Sequence, residues 1–242
     1  PLKGAFKLLS FASYAGFMIS ISVDEGLATL GVYIAWRVLE GVEVKRSNGD
    51  VEKAVREAVE RVKSTLTLEG LREHPIVKAY RSFYWRLGID PTKTRPSSEA
   101  LVRRALRTGS IPLINSVVDL GNVASMLTLV PIGIYDLDKV KPPITLRRAR
   151  VGELFHPIGG GVERLDERSV VLADSEKVMH VFPHRDSTLT MVEDSTRRIL
   201  VVGCGVKGVD VEIVRRAIDL ACGLISKLSS KSPSAPRNSS TT

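Results

Sequence analysis

The 242-residue chain is sparing with the residue types that mark several protein classes. It has two cysteines, Cys204 and Cys222, neither in a Cys-x-x-Cys pair. That excludes a disulfide framework and makes a reduced, intracellular protein the expectation. It has four histidines, His74, His156, His180 and His184. His180 and His184 are four apart, but in an apparent strand and loop, and that spacing aligns two imidazoles only on a helix, so no metal site is expected. No apolar run approaches the roughly 18 residues of a membrane span. There is no G-x-S-x-G elbow, and no Gly-Lys-Ser/Thr follows Gly159-Gly160-Gly161, so neither α/β-hydrolase nor Walker chemistry has its motif. The triple glycine reads as a flexible hairpin turn after Pro157.

What the chain does contain is core and positive charge. At 43% hydrophobic and 26% charged residues it can bury a core and is not a disordered protein. The formal net charge is +8, and it is unevenly placed. Residues 72–107 carry nine Lys/Arg against three acids, and the last fourteen residues add Lys231 and Arg237 with no acid. The remainder is close to neutral. The basic character therefore belongs to one region, which makes a polyanionic partner plausible.

Elements follow from periodicity. Met18-Ile19-Ser20-Ile21-Ser22-Val23 alternates as a strand does, so the preceding Lys3 and Lys7 with their apolar neighbours read as a lead into that strand more than as a cleaved leader. Residues 31–44 are rich in Val, Ile, Tyr and Trp and predict one or two strands. Asn48-Gly49-Asp50 starts a helix whose apolar face is Val51, Ala54, Val55, Ala58, Val59 and Val62. His74-Pro75 opens another, to about Leu87, with Tyr80, Phe83, Tyr84 and Leu87 on one core-facing stripe. Pro96-Ser97-Ser98-Glu99 begins a third, with Ser as cap and Gly109 as terminator. Residues 114–129 form a fourth. Residues 132–135, 144–149, 170–173, 178–182 and 198–202 predict a sheet, and Asp210 caps a final helix. This irregular order argues for α+β over a doubly wound sheet. The Ser/Pro/Thr tail from 229 to 242 is expected to be disordered.

Gly203-Cys204-Gly205-Val206-Lys207-Gly208 matches G-x-G-x-x-G. A dinucleotide site needs a second parallel strand and an acidic ribose ligand further on. Here the following helix runs straight into the tail, so a glycine-rich strand-to-helix turn is the expectation. Both cysteines lie in apolar surroundings and read as structural.

Arg95-Pro96-Ser97-Ser98-Glu99-Ala100-Leu101-Val102-Arg103-Arg104-Ala105-Leu106 is followed by Ile114-Asn115-Ser116-Val117-Val118-Asp119-Leu120-Gly121-Asn122. Then come Pro131-Ile132-Gly133-Ile134-Tyr135-Asp136-Leu137-Asp138 and Leu146-Arg147-Arg148-Ala149-Arg150-Val151-Gly152-Glu153. This order resembles the B3/B4 domain of the phenylalanyl-tRNA synthetase β subunit, and more closely the stand-alone B3/B4 proteins. The resemblance covers residues 71–228. It implies an α+β fold, with a mixed or antiparallel sheet core flanked by helices and a pocket. Its domain reading is an N-terminal segment 1–18, a single domain 19–228 and a tail 229–242.

In the synthetase this domain hydrolyses tyrosine wrongly esterified to tRNA(phenylalanine). The resemblance thus implies a tRNA or aminoacyl-tRNA partner, editing in trans, cytoplasmic location, and no metal or organic cofactor. The segment that reads Pro-(Leu/Met)-His-Ala-Phe-Asp in the synthetase matches Pro131 to Asp136, so its editing histidine falls at Gly133. The Gly-Gly-Glu loop matches around Pro183-His184-Arg185-Asp186-Ser187, its Glu near Arg185. The stand-alone relatives carry a basic residue followed by Asp there, as this chain does.

The candidate roles are these. Arg185 would stabilise an oxyanion, Asp186 or His184 would orient or deprotonate water, and Asn115, Asp119, Asn122, Tyr135 and Asp136 would hold the substrate. Arg95, Arg103, Arg104 and Arg107 would contact RNA phosphates. Against this stands a structural reading in which Asp119, Asp136 and Asp138 cap helices and turns and pair with Arg147 or Arg148. Two other functions remain open: a non-catalytic RNA- or partner-binding module, and a pocket for a free amino acid or other small metabolite.

Overall fold

The structure, a computed structural model, describes residues 10–14 and 17–230. In chain order the elements are β1 (Ser10–Tyr14), β2 (Phe17–Val23), α1 (Glu25–Thr29), β3 (Tyr33–Glu40), α2 (Gly49–Thr65), α3 (Leu68–Glu73), α4 (Pro75–Arg86), α5 (Ser97–Thr108), α6 (Ser116–Thr128), β4 (Ile132–Asp136), β5 (Ile144–Arg148), β6 (Leu154–Phe155), β7 (Glu163–Arg164), β8 (Val170–Ala173), β9 (Val178–Val181), β10 (Arg185–Asp186), β11 (Arg198–Gly205) and α7 (Val211–Ser230). The fold is α+β, as expected. The tail expected from 229 is corrected at its first two residues, which close α7; residues 1–9 and 231–242 lie outside the described residues.

Three sheets form. A mixed six-stranded sheet has the order β1-β2-β5-β8-β9-β10, with β2 and β5 parallel and the other pairs antiparallel. A three-stranded sheet places β11 between β3 and β4, antiparallel to both. A short hairpin joins β6 and β7. Its three connecting glycines all adopt positive φ, which only glycine does without strain.

Strand β11 is buried along both faces, which is why its run Ile199 to Cys204 is apolar throughout and does not alternate. Leu200, Val202 and Cys204 face one core, shared with the inner face of the large sheet and the α4 stripe Tyr80, Phe83 and Tyr84. Ile199 and Val201 face a second core, filled by α6, α7 and the first turn of α2. A third core lies among α2 to α6. The Tyr80 hydroxyl donates to the Cys204 carbonyl at 2.5 Å, tying α4 to the central strand.

The G-x-G-x-x-G segment is explained by this packing. A Cβ on residue 203 would stand 2.8 Å from Val214 of α7, and one on residue 205 would collide with the Tyr33 ring. The glycines let a helix and an aromatic ring approach the strand. Since both neighbours of β11 are antiparallel, no dinucleotide crossover exists there.

Three local expectations need correction. The Ser cap of α5 is absent: Pro96 occupies the cap position with no side-chain bond, and Ser98 Oγ instead donates to the Leu129 carbonyl at 2.9 Å. Helix α3, capped by Thr67, was not foreseen, because six residues carry too little periodicity. The two-residue strands β6, β7 and β10 are too short to show alternation.

Gly205→Ala is expected to cost about 1–3 kcal/mol through overpacking against Tyr33. Gly223→Ala, on α7 with nothing within 4 Å of the new Cβ, is expected to gain about 0.5–1 kcal/mol. Chemical denaturation of both variants checks the pair.

Candidate functional site

The Arg95-to-Glu99 segment is the corner where α4, α5 and the loop after β9 meet. The Ser97 N–H donates to the Pro183 carbonyl at 3.0 Å, and the His184 Nδ1–H to the Arg95 carbonyl at 3.0 Å. Glu99 turns inward and is 1% exposed. Arg81 of α4 grips its carboxylate through Nε and Nη2. Arg95 and Arg103, one helical turn before and after it, approach the same carboxylate at 3.9 Å each. Burial, then the charges of Arg107 and Arg95, lowers the pKa of Arg103. The arginines expected to face RNA thus divide. Arg95 and Arg103 are partly internal, whereas Arg104 and Arg107 are exposed.

The three candidate catalytic residues are consecutive, yet each is engaged differently. His184 is held by Arg95, and burial keeps its pKa below the usual histidine value. Arg185 forms a two-point ion pair with Glu163 of β7 at 2.6 and 2.5 Å, and its guanidinium lies 5.6 Å from the Phe155 ring centre. Hydrogen bonds from Arg185 hold the Glu163 carboxyl below its ordinary range. Asp186 points the other way, its Oδ1 accepting from His180 Nδ1 at 2.8 Å. His180 Nε2 then faces Cys204 Sγ at 3.8 Å. A Cys-His-Asp line results, but Cys204 is 1% exposed and burial pushes its thiol far up, so it is not a nucleophile.

The candidate substrate residues do not converge on these three. Asn115 caps α6, its Oδ1 accepting from the N–H of Val117 and Val118. Asp119 is fully buried and accepts from the Ile114 N–H and the Ser47 hydroxyl. Burial raises its pKa. Asn122 is half-buried on α6. Asp136 caps the turn after β4, accepting from the Asp138 N–H at 3.0 Å and the Thr196 hydroxyl at 2.7 Å. Only Tyr135 meets the loop, from inside: it is 1% exposed, and its hydroxyl, with Asp186 Oδ1, fills the space a side chain on Gly133 would need. The space beside Gly133, where the resemblance implies an editing residue, is therefore closed by Tyr135. Asp119 and Asp136 do act as caps, but the expected arginine partners are corrected. Asp138 pairs with Arg198, and Arg147 pairs with Glu153.

Open space lies on the other side of the loop. A cleft of about 460 Å³ is lined by Tyr84, Lys93, Arg164, Arg168, His184 and Arg185. A second, of about 450 Å³, continues past Lys93 and His184 to Arg95 and Arg104. A third, of about 290 Å³, shares Arg95 and Arg104 and extends to Arg103 and Arg107. Shared walls make these one groove, basic from Lys93 to Arg107 and mixed in charge at its other end, where Asp90, Glu163 and Asp166 also line it and Arg168 pairs with Asp166. A cavity of about 620 Å³ lies elsewhere, between β3 and α7, and touches none of the candidate residues. Among the described residues no three His, Cys, Asp or Glu side chains are grouped for a metal ion, and no helix is long and apolar enough to cross a membrane.

Sequence reasoning missed Glu99, Glu163 and His180 as members of this site. The Arg95, Glu99, Arg103 spacing of four was the signal for the first. Nothing local marked the other two.

Fold and site define an α+β domain with a basic groove beside a buried polar cluster. The family model described as the B3/4 domain matches residues 79–230, and the chain belongs to that family. It is 30% identical over 138 residues to the phenylalanine–tRNA ligase beta subunit of Carboxydothermus hydrogenoformans, covering 57% of this chain and 17% of that one. It is 28% identical over 119 residues to that of Bartonella quintana, covering 49% and 15%. The chain thus spans about one-sixth of the length of these relatives. A solved N-terminal fragment of the phenylalanyl-tRNA synthetase beta subunit from Pyrococcus horikoshii aligns with 85% of this chain and 47% of its own, at 19% identity and a TM-score of 0.46.

Two outcomes are expected. Glu99→Gln should destabilise by about 3 kcal/mol, because it leaves Arg81 without its countercharge, as denaturant titration would read. His184 has a folded pKa below its unfolded value of about 6.5. The unfolded chain therefore binds more protons below that pH, and stability falls as pH drops through 6.5 toward the folded pKa. Melting wild type and His184→Asn at pH 7.5 and 5 should show the larger acid loss in wild type.

Proposed function

We propose that the protein binds tRNA, with the basic groove from Arg164 and Arg168 through Lys93 and Arg95 to Arg104 and Arg107 tracking the phosphate backbone. The observation that carries this reading is the continuity of three clefts through shared cationic walls. Phosphate contacts dominate RNA affinity, and cations on a groove release counterions when they bind. Membership of the B3/4 family, and kinship with a region of a tRNA ligase subunit, support tRNA as the RNA in question.

Hydrolysis of a mischarged aminoacyl-tRNA is the second reading. It is favoured by one observation: His184 and Arg185 line a cleft of about 460 Å³, within the range of small-ligand sites. Against it, Arg185 is neutralised by Glu163, and the space beside Gly133 is occupied by Tyr135. Binding without chemistry therefore stands first.

Anisotropy of labelled tRNA across salt tests the first reading. Four phosphate contacts predict that affinity falls roughly a hundredfold between about 50 and 200 mM salt. The Lys93, Arg104 and Arg107 triple alanine variant should flatten that slope. Salt-insensitive or absent binding would overturn the reading. A panel of mischarged tRNAs tests the second: cleavage no faster than buffer, unchanged by Arg185→Ala, removes it and leaves binding intact.

A further inference from the structure

We propose that the arginine cluster over Glu99 is a phosphate-binding site, seated in the cleft walled by Arg95, Arg103, Arg104 and Arg107. This deepens the tRNA reading by naming where one phosphate group sits, and it rests on that reading only for the source of the phosphate.

The charge at this corner is unbalanced. Five guanidinium groups, including Arg81, gather at one corner; Glu99 is the buried carboxylate among them, while Glu73 and Asp90 act on Arg81 and Arg95 from the rim. Glu99 accepts a hydrogen bond from Arg81 at each oxygen. Its oxygen is 3.9 Å from both Arg95 and Arg103, beyond hydrogen-bond range. Arg95 Nε is shielded from water and has no hydrogen-bond partner. The positive charge of Arg103 is opposed by those of Arg107 and Arg95, in addition to its own burial. Arg104 and Arg107 have no ion-pair partner among the described residues and stand at the open side of the same cleft. Cations grouped in this way repel one another until an anion joins them.

The shape selects the anion. Guanidinium groups are planar forks that match phosphate oxygens two at a time, and a tetrahedral phosphate accepts from several forks at once. The site cleft of about 290 Å³ opens into its neighbour of about 450 Å³ through Arg95 and Arg104. A phosphate held there can belong to a continuing chain. His184 lines the neighbouring cleft and is bonded to the Arg95 carbonyl, so its ring reports on occupancy.

The test is an NMR titration of the full chain with inorganic phosphate at constant ionic strength, chloride being the replaced anion. Saturable shifts of the Arg95 Nε–H and the His184 ring are expected. Arg104→Gln and Arg107→Gln, both at exposed positions, should each weaken the affinity about tenfold. Arg215→Gln, at the distant α7 cavity, should leave it unchanged. Non-saturating shifts, or equal affinity in all three variants, overturn the site. A second arm adds tRNA. Displacement of phosphate by tRNA supports both site and source. Saturable phosphate binding with no competition keeps the site and removes RNA as its source. tRNA binding with no effect at Arg95, Arg104 or Arg107, together with non-saturating phosphate shifts, overturns the site and moves the RNA contacts away from this end of the groove.

Discussion

The corner of the molecule that matters most is organised by one buried carboxylate. Glu99 sits at 1% exposure, and a carboxylate in that position is tolerable only because Arg81 meets it at two points. This contact fixes α4 against α5. The start of α5 in turn holds the loop after β9, through Ser97 to Pro183 and Arg95 to His184. The groove exists because these three segments are held a set distance apart. Its charge comes from Lys93, Arg95, Arg103, Arg104 and Arg107, of which Glu99 stands near only Arg95 and Arg103.

The basic stretch of the chain therefore has two duties. Arg81, Arg95 and Arg103 serve the interior in part, and Arg104 and Arg107 serve the surface. A count of charge along the chain treats them alike. The loop at 184–186 shows the same division on a smaller scale. Alternation in β10 sends Arg185 outward to Glu163 and Asp186 inward to His180, so two neighbours named for one reaction look into different environments. The inward side is closed, since Tyr135 lies where a residue-133 side chain would stand.

Local patterns carried a large part of the fold. Helical spacing placed the apolar faces of α2 and α4, the β-branched runs placed β4, β5, β8, β9 and β11, and Gly109 ended α5 in the left-handed conformation glycine favours. The ordered motifs around Arg95, Asn115 and Pro131 pointed to the family directly. These features are legible because period, capping and turn chemistry act over a few residues. Short elements such as α3 and β10 escaped for the same reason: a pattern needs length to be read.

The chain alone thus determined element types, the core stripe of α4, the location of the basic region and the family. Only the tertiary structure decided which side chains meet. Glu163 reaches Arg185 across 22 residues of chain, and Cys204 reaches His180 across 24. Asn115 and Asp119 were drawn away from the groove into the cap of α6. Ion pairs and filled cavities depend on distance through space, and strand pairing sets that distance between segments whose local sequences carry no record of one another.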